Sequence, residues 1–203
     1  MAKYSLFLDT SAFIQVGLLD QSNNWLSYEL IKNKKGSQIL HGLIFELLKS
    51  KSLSIRDIKR LIVANGPGSY TGIRLAEGLA QVLEIEGIEV INFYHFEVPS
   101  FLDSQDYRFV ASAFKNEFFC YQMKSGEAEQ FLISKEDFVE LDDNPKTFHI
   151  GDDVGGRTFN STYELFDNQS VPIFSKVIER SERNEPFYFR PLEKEFKISN
   201  FTA

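Results

Sequence analysis

Hydrophobic and polar positions along the chain fall into two successive rounds of the same pattern. Ser5–Asp9, Phe13–Asp20 and Trp25–Ile31 are apolar or alternating runs, and Gln21-Ser22-Asn23-Asn24 between the last two is a hairpin-turn signal. The spacing predicts three strands opening as a meander. Ile39, Leu40, Leu43, Ile44 and Leu47 then recur at helical spacing behind Ser37, which predicts a capped helix through about Leu48. A Ser54-capped turn, a strand at Leu61–Ala64, a glycine-rich loop, a helix from about Gly72 to Glu86 and a strand at Val90–Phe93 complete the first round. After about Pro99 the pattern restarts. Arg108–Ala113, Phe118–Met123 and Glu129–Ile133 read as strands, a Ser134-capped helix runs to Glu140, Phe148–Ile150 reads as a strand, and a helix follows near Lys176–Arg183. Asp142-Asp143-Asn144-Pro145 is a loop. The second round echoes the first in shortened form, which predicts an α/β protein of two lobes, residues 1–98 and 99–203.

The loop at 66–72, Gly-Pro-Gly-Ser-Tyr-Thr-Gly, is the most specified stretch. Gly66, Gly68 and Gly72 permit positive φ or close backbone approach, Pro67 stiffens the turn, and Ser69 or Thr71 can cap the following helix. Gly66-x-Gly68-x-x-x-Gly72 has one residue too many for a dinucleotide fingerprint, and the Lys-Ser/Thr pair of a P-loop is missing. Two readings stand: a structural or partner-facing loop, and a phosphate cradle at a helix start. The helix behind it carries Arg74, Glu77, Gln81 and Glu84 in one narrow polar arc, with apolar or small residues around most of the rest. So wide an arc predicts burial on a second side, either under the second lobe or against another subunit. The candidate partner surface is Ile73, Ala76, Leu79, Ala80 and Leu83, joined by Leu40, Ile44 and Phe45 from the helix before.

Composition narrows the function classes. The chain has 203 residues, 43% of them hydrophobic and 20 of them phenylalanine, enough to bury a substantial core. A net charge of −7 disfavours an autonomous nucleic-acid binder. Lys32, Lys34, Lys35, Lys49 and Lys51 read as solvated ends. A single cysteine, Cys120, allows neither a disulfide framework nor a thiolate metal cluster, and His41, His95 and His149 are too scattered to pair as metal ligands. No long apolar run predicts a membrane span, so the expected location is the cytoplasm.

The loop and its flanks resemble the TsaB (YeaZ) family, whose pattern is Gly-Pro-Gly-Ser-Phe-Thr-Gly-Leu/Val-Arg after an apolar strand; here Tyr70 stands for Phe and Arg74 is kept. Asp9-Thr10-Ser11 is similar to the family's opening strand end, and Pro186-Phe187-Tyr188-Phe189-Arg190 to its late Pro-x-Tyr-x-Arg. The resemblance implies an actin-like fold of two ribonuclease-H-like lobes around a nucleotide cleft. In that fold each lobe offers a phosphate hairpin bearing an Asp, so the possible phosphate contacts are Asp9, Thr10, Ser11, Gly66, Gly68, Ser69, Thr71 and Gly72. The second hairpin departs from the family: Ser112-Ala113-Phe114 stands where an Asp-Ala-Arg is expected. Ile150-Gly151-Asp152-Asp153 is similar to a degraded adenosine turn, with Gly155-Gly156 just behind. The resemblance further implies a non-catalytic scaffold that binds and orders TsaD, the subunit that supplies metal and active site, in making threonylcarbamoyladenosine at position 37 of tRNA. The ATPase TsaE joins the assembly, tRNA arrives through the complex, ATP or ADP is contacted only within it, and the isolated chain is expected to pair with itself. An active ATPase or kinase of the same superfold, and more remotely a metallopeptidase, are the competing readings.

Overall fold

The computed structural model describes residues 3–32, 36–113, 116–140, 146–152, 154, 157 and 159–189. The acidic loop at 142–145, Phe114, Asp153, Gly155, Gly156, Arg190 and the side chain of Ser37 lie outside the described residues. Strands β1 (Tyr4–Asp9), β2 (Ile14–Leu19) and β3 (Trp25–Ile31) form the opening meander, followed by helix α1 (Gly36–Ser50), β4 (Ile58–Ala64), α2 (Tyr70–Ile85) and β5 (Glu89–Phe93). A short helix α3 (Val98–Phe101) leads into β6 (Tyr107–Ser112), β7 (Glu117–Lys124), β8 (Glu127–Ser134), α4 (Lys135–Val139), β9 (Lys146–His149) and β10 (Asn160–Ser161). Helices α5 (Thr162–Asn168) and α6 (Ser170–Arg180) follow.

These strands make two five-stranded sheets in the orders β3-β2-β1-β4-β5 and β8-β7-β6-β9-β10. The second order is the first with each strand advanced by five. The senses match too: β1 is antiparallel to β2 and parallel to β4, and β6 is antiparallel to β7 and parallel to β9. This is the duplicated ribonuclease-H-like topology of an actin-like fold. The second copy is the reduced one. The 15-residue α1 corresponds to the five-residue α4, and β10 has two residues.

One apolar layer lies between the first sheet and helices α1 and α2, where Leu6, Leu8, Val16 and Val63 meet Leu40, Ile44, Leu47, Ala76 and Ala80. The opposite face of that sheet joins the second sheet and α6 in an aromatic layer. The Phe7 ring lies 5.3 Å from Phe166 and 5.1 Å from Phe174, and Phe93 packs on both. Many of the 20 phenylalanines are thus consumed in joining the sheets, each edge-to-face contact adding about 0.5–1.5 kcal/mol beyond area burial. Helix α6 begins well before the predicted Lys176, with Pro172 in its first turn, where a missing N–H breaks no helical bond. It stops where Ser181 turns left-handed, φ 49°. Helices α3 and α5 and strand β10 have no counterpart in the sequence-based reading. They are one or two turns long, or two residues, too short for periodicity to register. No described helix is long and apolar enough to cross a membrane.

Candidate functional site

The glycine-rich loop joins β4 to α2 and is held against the turn between β1 and β2. The Ser69 N–H donates to the Ser11 carbonyl at 2.6 Å, and Thr10 Oγ1 donates to the Gly72 carbonyl at 2.6 Å. Ser69 is the helix cap, its Oγ accepting the Gly72 N–H at 3.3 Å, whereas Thr71 is exposed within the first turn. The glycines are required by proximity. A Cβ on Gly68 would overlap the Ser11 backbone, and one on Gly72 would overlap the Thr10 carbonyl. Gly66 has φ +102° and precedes a cis bond to Pro67; a Cβ there would meet the Phe187 carbonyl. The loop is packed between the first hairpin and the C-terminal segment.

Asp9 ends β1, and its carboxylate is turned into the protein. Oδ1 accepts the Ser11 N–H at 2.7 Å, and Oδ2 accepts Gln15 Nε2 and lies 3.0 Å from His95 Nε2. Asp9 and His95 are both 0% exposed. The other His95 nitrogen, Nδ1, is 3.2 Å from Thr162 Oγ1, and Tyr28 donates its hydroxyl to Gln15. Burial and the Asp9 charge push the Tyr28 hydroxyl far above the usual phenol range. A polar chain therefore runs from β3 through β2 and β1 to α5. Ser112 ends β6 as Asp9 ends β1, so the second round of the topology carries a hydroxyl where the first carries a carboxylate. His41 is exposed on α1 and His149 is buried in β9. Among the described residues no group of three His, Cys, Asp or Glu side chains gathers in a way that could hold a metal.

A cavity of about 470 Å³ opens between the sheets, bordered by Ser11, Phe13, Gly68, Ser69, Tyr70, Thr71, Ser112, Gly151, Asp152 and Phe189. Of the residues expected to touch phosphate, Ser11, Gly68, Ser69 and Thr71 reach this cleft. Asp9, Thr10, Gly66 and Gly72 do not border it, because their polar groups or backbones are engaged behind it. Across the cleft Gly151, with φ +80°, approaches so closely that a Cβ would lie 3.2 Å from Ala12. Asp152 adds a carboxylate on this wall, unfavourable to an anion. Gln15 faces Asp9 across the first hairpin, whereas His95 beside Asp9 and Thr162 behind His95 come from distant parts of the sequence, and no local signal marks them.

The expected partner surface needs correction. Leu40, Ile44, Ile73, Ala76, Ala80 and Leu83 are buried inside the chain itself, and Leu79 is half-buried. Both the sheet and the neighbouring helix consume apolar arc on α2, so most of its wide arc is satisfied internally. Phe45 alone of the expected set stands out, 62% exposed, and it is joined by Val82 at 56% and Ile85 at 84%. Leu75, Gly78, Val82 and Ile85 recur at alternating three- and four-residue spacing, one seam along the outside of α2. Gly42 and Gly78 are exposed mid-helix residues with nothing within 4 Å of where a Cβ would stand. Each costs its helix about 1 kcal/mol relative to alanine and serves no contact among the described residues.

The family model described as TsaD, tRNA N6-adenosine threonylcarbamoyltransferase, matches residues 31–143. Over 79 residues the chain is 32% identical to the tRNA threonylcarbamoyladenosine biosynthesis protein TsaB of Bacillus subtilis (strain 168), a match covering 38% of this chain and 34% of that protein. Over 88 residues it is 31% identical to the protein of the same name from Buchnera aphidicola subsp. Baizongia pistaciae (strain Bp), covering 42% and 38%. The matched stretch thus spans little more than a third of these curated relatives. Among solved structures, an uncharacterized protein with similarity to peptidase YeaZ from Pseudomonas aeruginosa superposes with a TM-score of 0.62 at 21% identity, covering 93% of this chain and 100% of that one. YeaZ from Pseudomonas aeruginosa gives 0.58 at 20% identity, covering 90% and 99%. The fold is therefore that of YeaZ, and the chain belongs to the family whose model is described as TsaD, with stretches similar to proteins named TsaB.

Proposed function

We propose that this chain is a non-catalytic subunit in the formation of threonylcarbamoyladenosine at tRNA position 37, and that it acts in the cytoplasm by binding and ordering a TsaD-type catalytic subunit. The observation that carries this reading is the outward seam of α2 with Phe45 on α1, where exposed apolar side chains alternate with Gly42 and Gly78. Glycines that weaken a helix without an internal contact fit a surface that another helix approaches closely. The same faces pair two copies when TsaD is missing. TsaE and tRNA join through the catalytic subunit, consistent with a net charge of −7 on this chain. The buried Asp9 and the hydroxyl at Ser112 support a cleft without turnover of its own. Lobes 1–98 and 99–203 then serve as one rigid support for the helix pair.

The test is Val82→Arg, a charge at the centre of the seam and 56% exposed in the free chain. The variant is expected to melt within about 0.5 kcal/mol of the wild type. Its affinity for the TsaD of the same organism should fall at least tenfold, with tRNA modification in a reconstituted mixture falling alongside. Undiminished binding would refute the assignment of this face. Steady ATP hydrolysis by the isolated chain would refute the non-catalytic role.

A further inference from the structure

After α6 the chain does not leave the molecule but runs back across it from Glu182 to Phe189. It crosses the open edge of β5 first: Asn92 N–H donates to the Glu182 carbonyl at 2.8 Å, and the Asn92 side chain pairs with the Asn184 backbone at both atoms, at 2.8 and 2.7 Å. Asn65, at the start of the glycine-rich loop, accepts the Phe187 N–H at 3.0 Å. Asn65 and Asn92 are buried polar residues whose amides point at this segment. Its removal would leave them unsatisfied together, which makes docking cooperative rather than gradual.

The two ends of the segment reach different places. Arg183 grips Glu77 of α2 through two bonds of 2.9 and 2.7 Å, one residue from the exposed Gly78. Phe189 borders the cavity between the sheets and packs 5.4 Å from Phe119 of β7. We infer that residues 182–189 form a single docked-or-detached strap that couples the interlobe cleft to α2. Displacing Phe189 from the cleft loosens the hold on Glu77, and releasing Glu77 loosens the cleft wall. Reciprocity is a thermodynamic requirement of such a link. It is a property of the chain alone and stands apart from any reading of α2 as an interface.

Amide hydrogen exchange on the full chain tests it. Phe189→Ala is expected to raise exchange several-fold at Asn184 and Phe187 and also in α2 around Glu77. Arg183→Gln should raise it at the strap and at the cleft wall near Ala111 and Gly151. The double variant should raise exchange at both places by about the product of the two single increases, because both changes act on one docked-or-detached equilibrium. Effects confined to each variant's own end, in the double variant as in the single ones, would overturn the proposal. Should Phe189→Ala fail to fold, Phe189→Leu carries the same comparison, with a smaller rise expected at both places.

Discussion

The resemblance to actin-like proteins leads one to expect the Asp9 carboxylate to face the cleft, yet its oxygens accept from Ser11 and Gln15 in a fully buried site, with His95 Nε2 3.0 Å away. A buried carboxylate with such partners is held for structure, and removing its charge leaves them facing a poor substitute. Asp9→Asn is therefore expected to cost about 3 kcal/mol or more, measured as a lower urea midpoint with an unchanged slope. Unchanged stability together with lost nucleotide binding would return Asp9 to a ligand role. What the sequence shows at this position is the strand end and the acid. It does not show the acid's direction, because that is set by His95 and Thr162, which reach it only through the tertiary fold. Ser112 was legible from the restart of the strand pattern, since its place at the end of β6 follows from the repeat alone.

At the level of the helix, periodicity identifies how much of α2 is apolar but not what covers each part. The small residues Ala76 and Ala80 suggest close approach, and the approach is real, but it is to the protein's own sheet and to α1. An arginine at Ala76 should therefore unfold the chain, since it places an unpaired charge in a fully buried position. The residues that distinguish outside from inside are Gly42 and Gly78, which a helical wheel treats as neutral. Replacing both with alanine makes two opposite expectations. The isolated chain should gain roughly 1–2 kcal/mol from helix propensity, read by thermal or urea unfolding. Association with itself or with TsaD should weaken, read by sedimentation, because the added methyls hold two helices apart. A gain in both would mean that the glycines have no role in contact. The long elements α1 and α2 and the strands of both meanders were legible because their apolar periods run for several turns or pairs. The last helix was misplaced because its start depends on Pro172 lying in a first turn rather than ending a run.

On the scale of the whole molecule, the duplicated topology was legible from the two rounds of strand and helix patterns, whereas the fusion of the two sheets by one aromatic layer was not. That layer brings Phe7 and Phe93 of the first sheet and Phe109, Phe119 and Phe148 of the second together with Phe166 and Phe174 of α5 and α6, and no local pattern announces that they converge. The second sheet offers a probe of how tightly the whole assembly is closed. Cys120 lies in β7, between β6 and β8, and burial pushes its thiol up to about 12. In the unfolded chain the same thiol ionises near about pH 8.5. Because the folded form holds the proton longer, the contribution of Cys120 is fully present below that pH and is lost as pH rises toward the folded value. The loss is about 1.4 kcal/mol per pH unit, or about 2 kcal/mol between pH 8.5 and 10. The buried hydroxyls of Tyr28, Tyr107 and Tyr163 are raised in the same direction and add their own loss only above about pH 10. Cys120→Ala removes the thiol term and leaves the tyrosines. Its urea-unfolding free energy should lie below the wild type by a constant amount at pH 7 to 8, and the gap should narrow by about 2 kcal/mol as pH approaches 10. Thiol reagents should modify native Cys120 only at the rate at which the molecule opens globally, slower than exchange at the strap amides. Parallel stability curves, or modification as fast as strap exchange, would show that the second sheet opens on its own, and the two sheets would then not act as one support for α1 and α2.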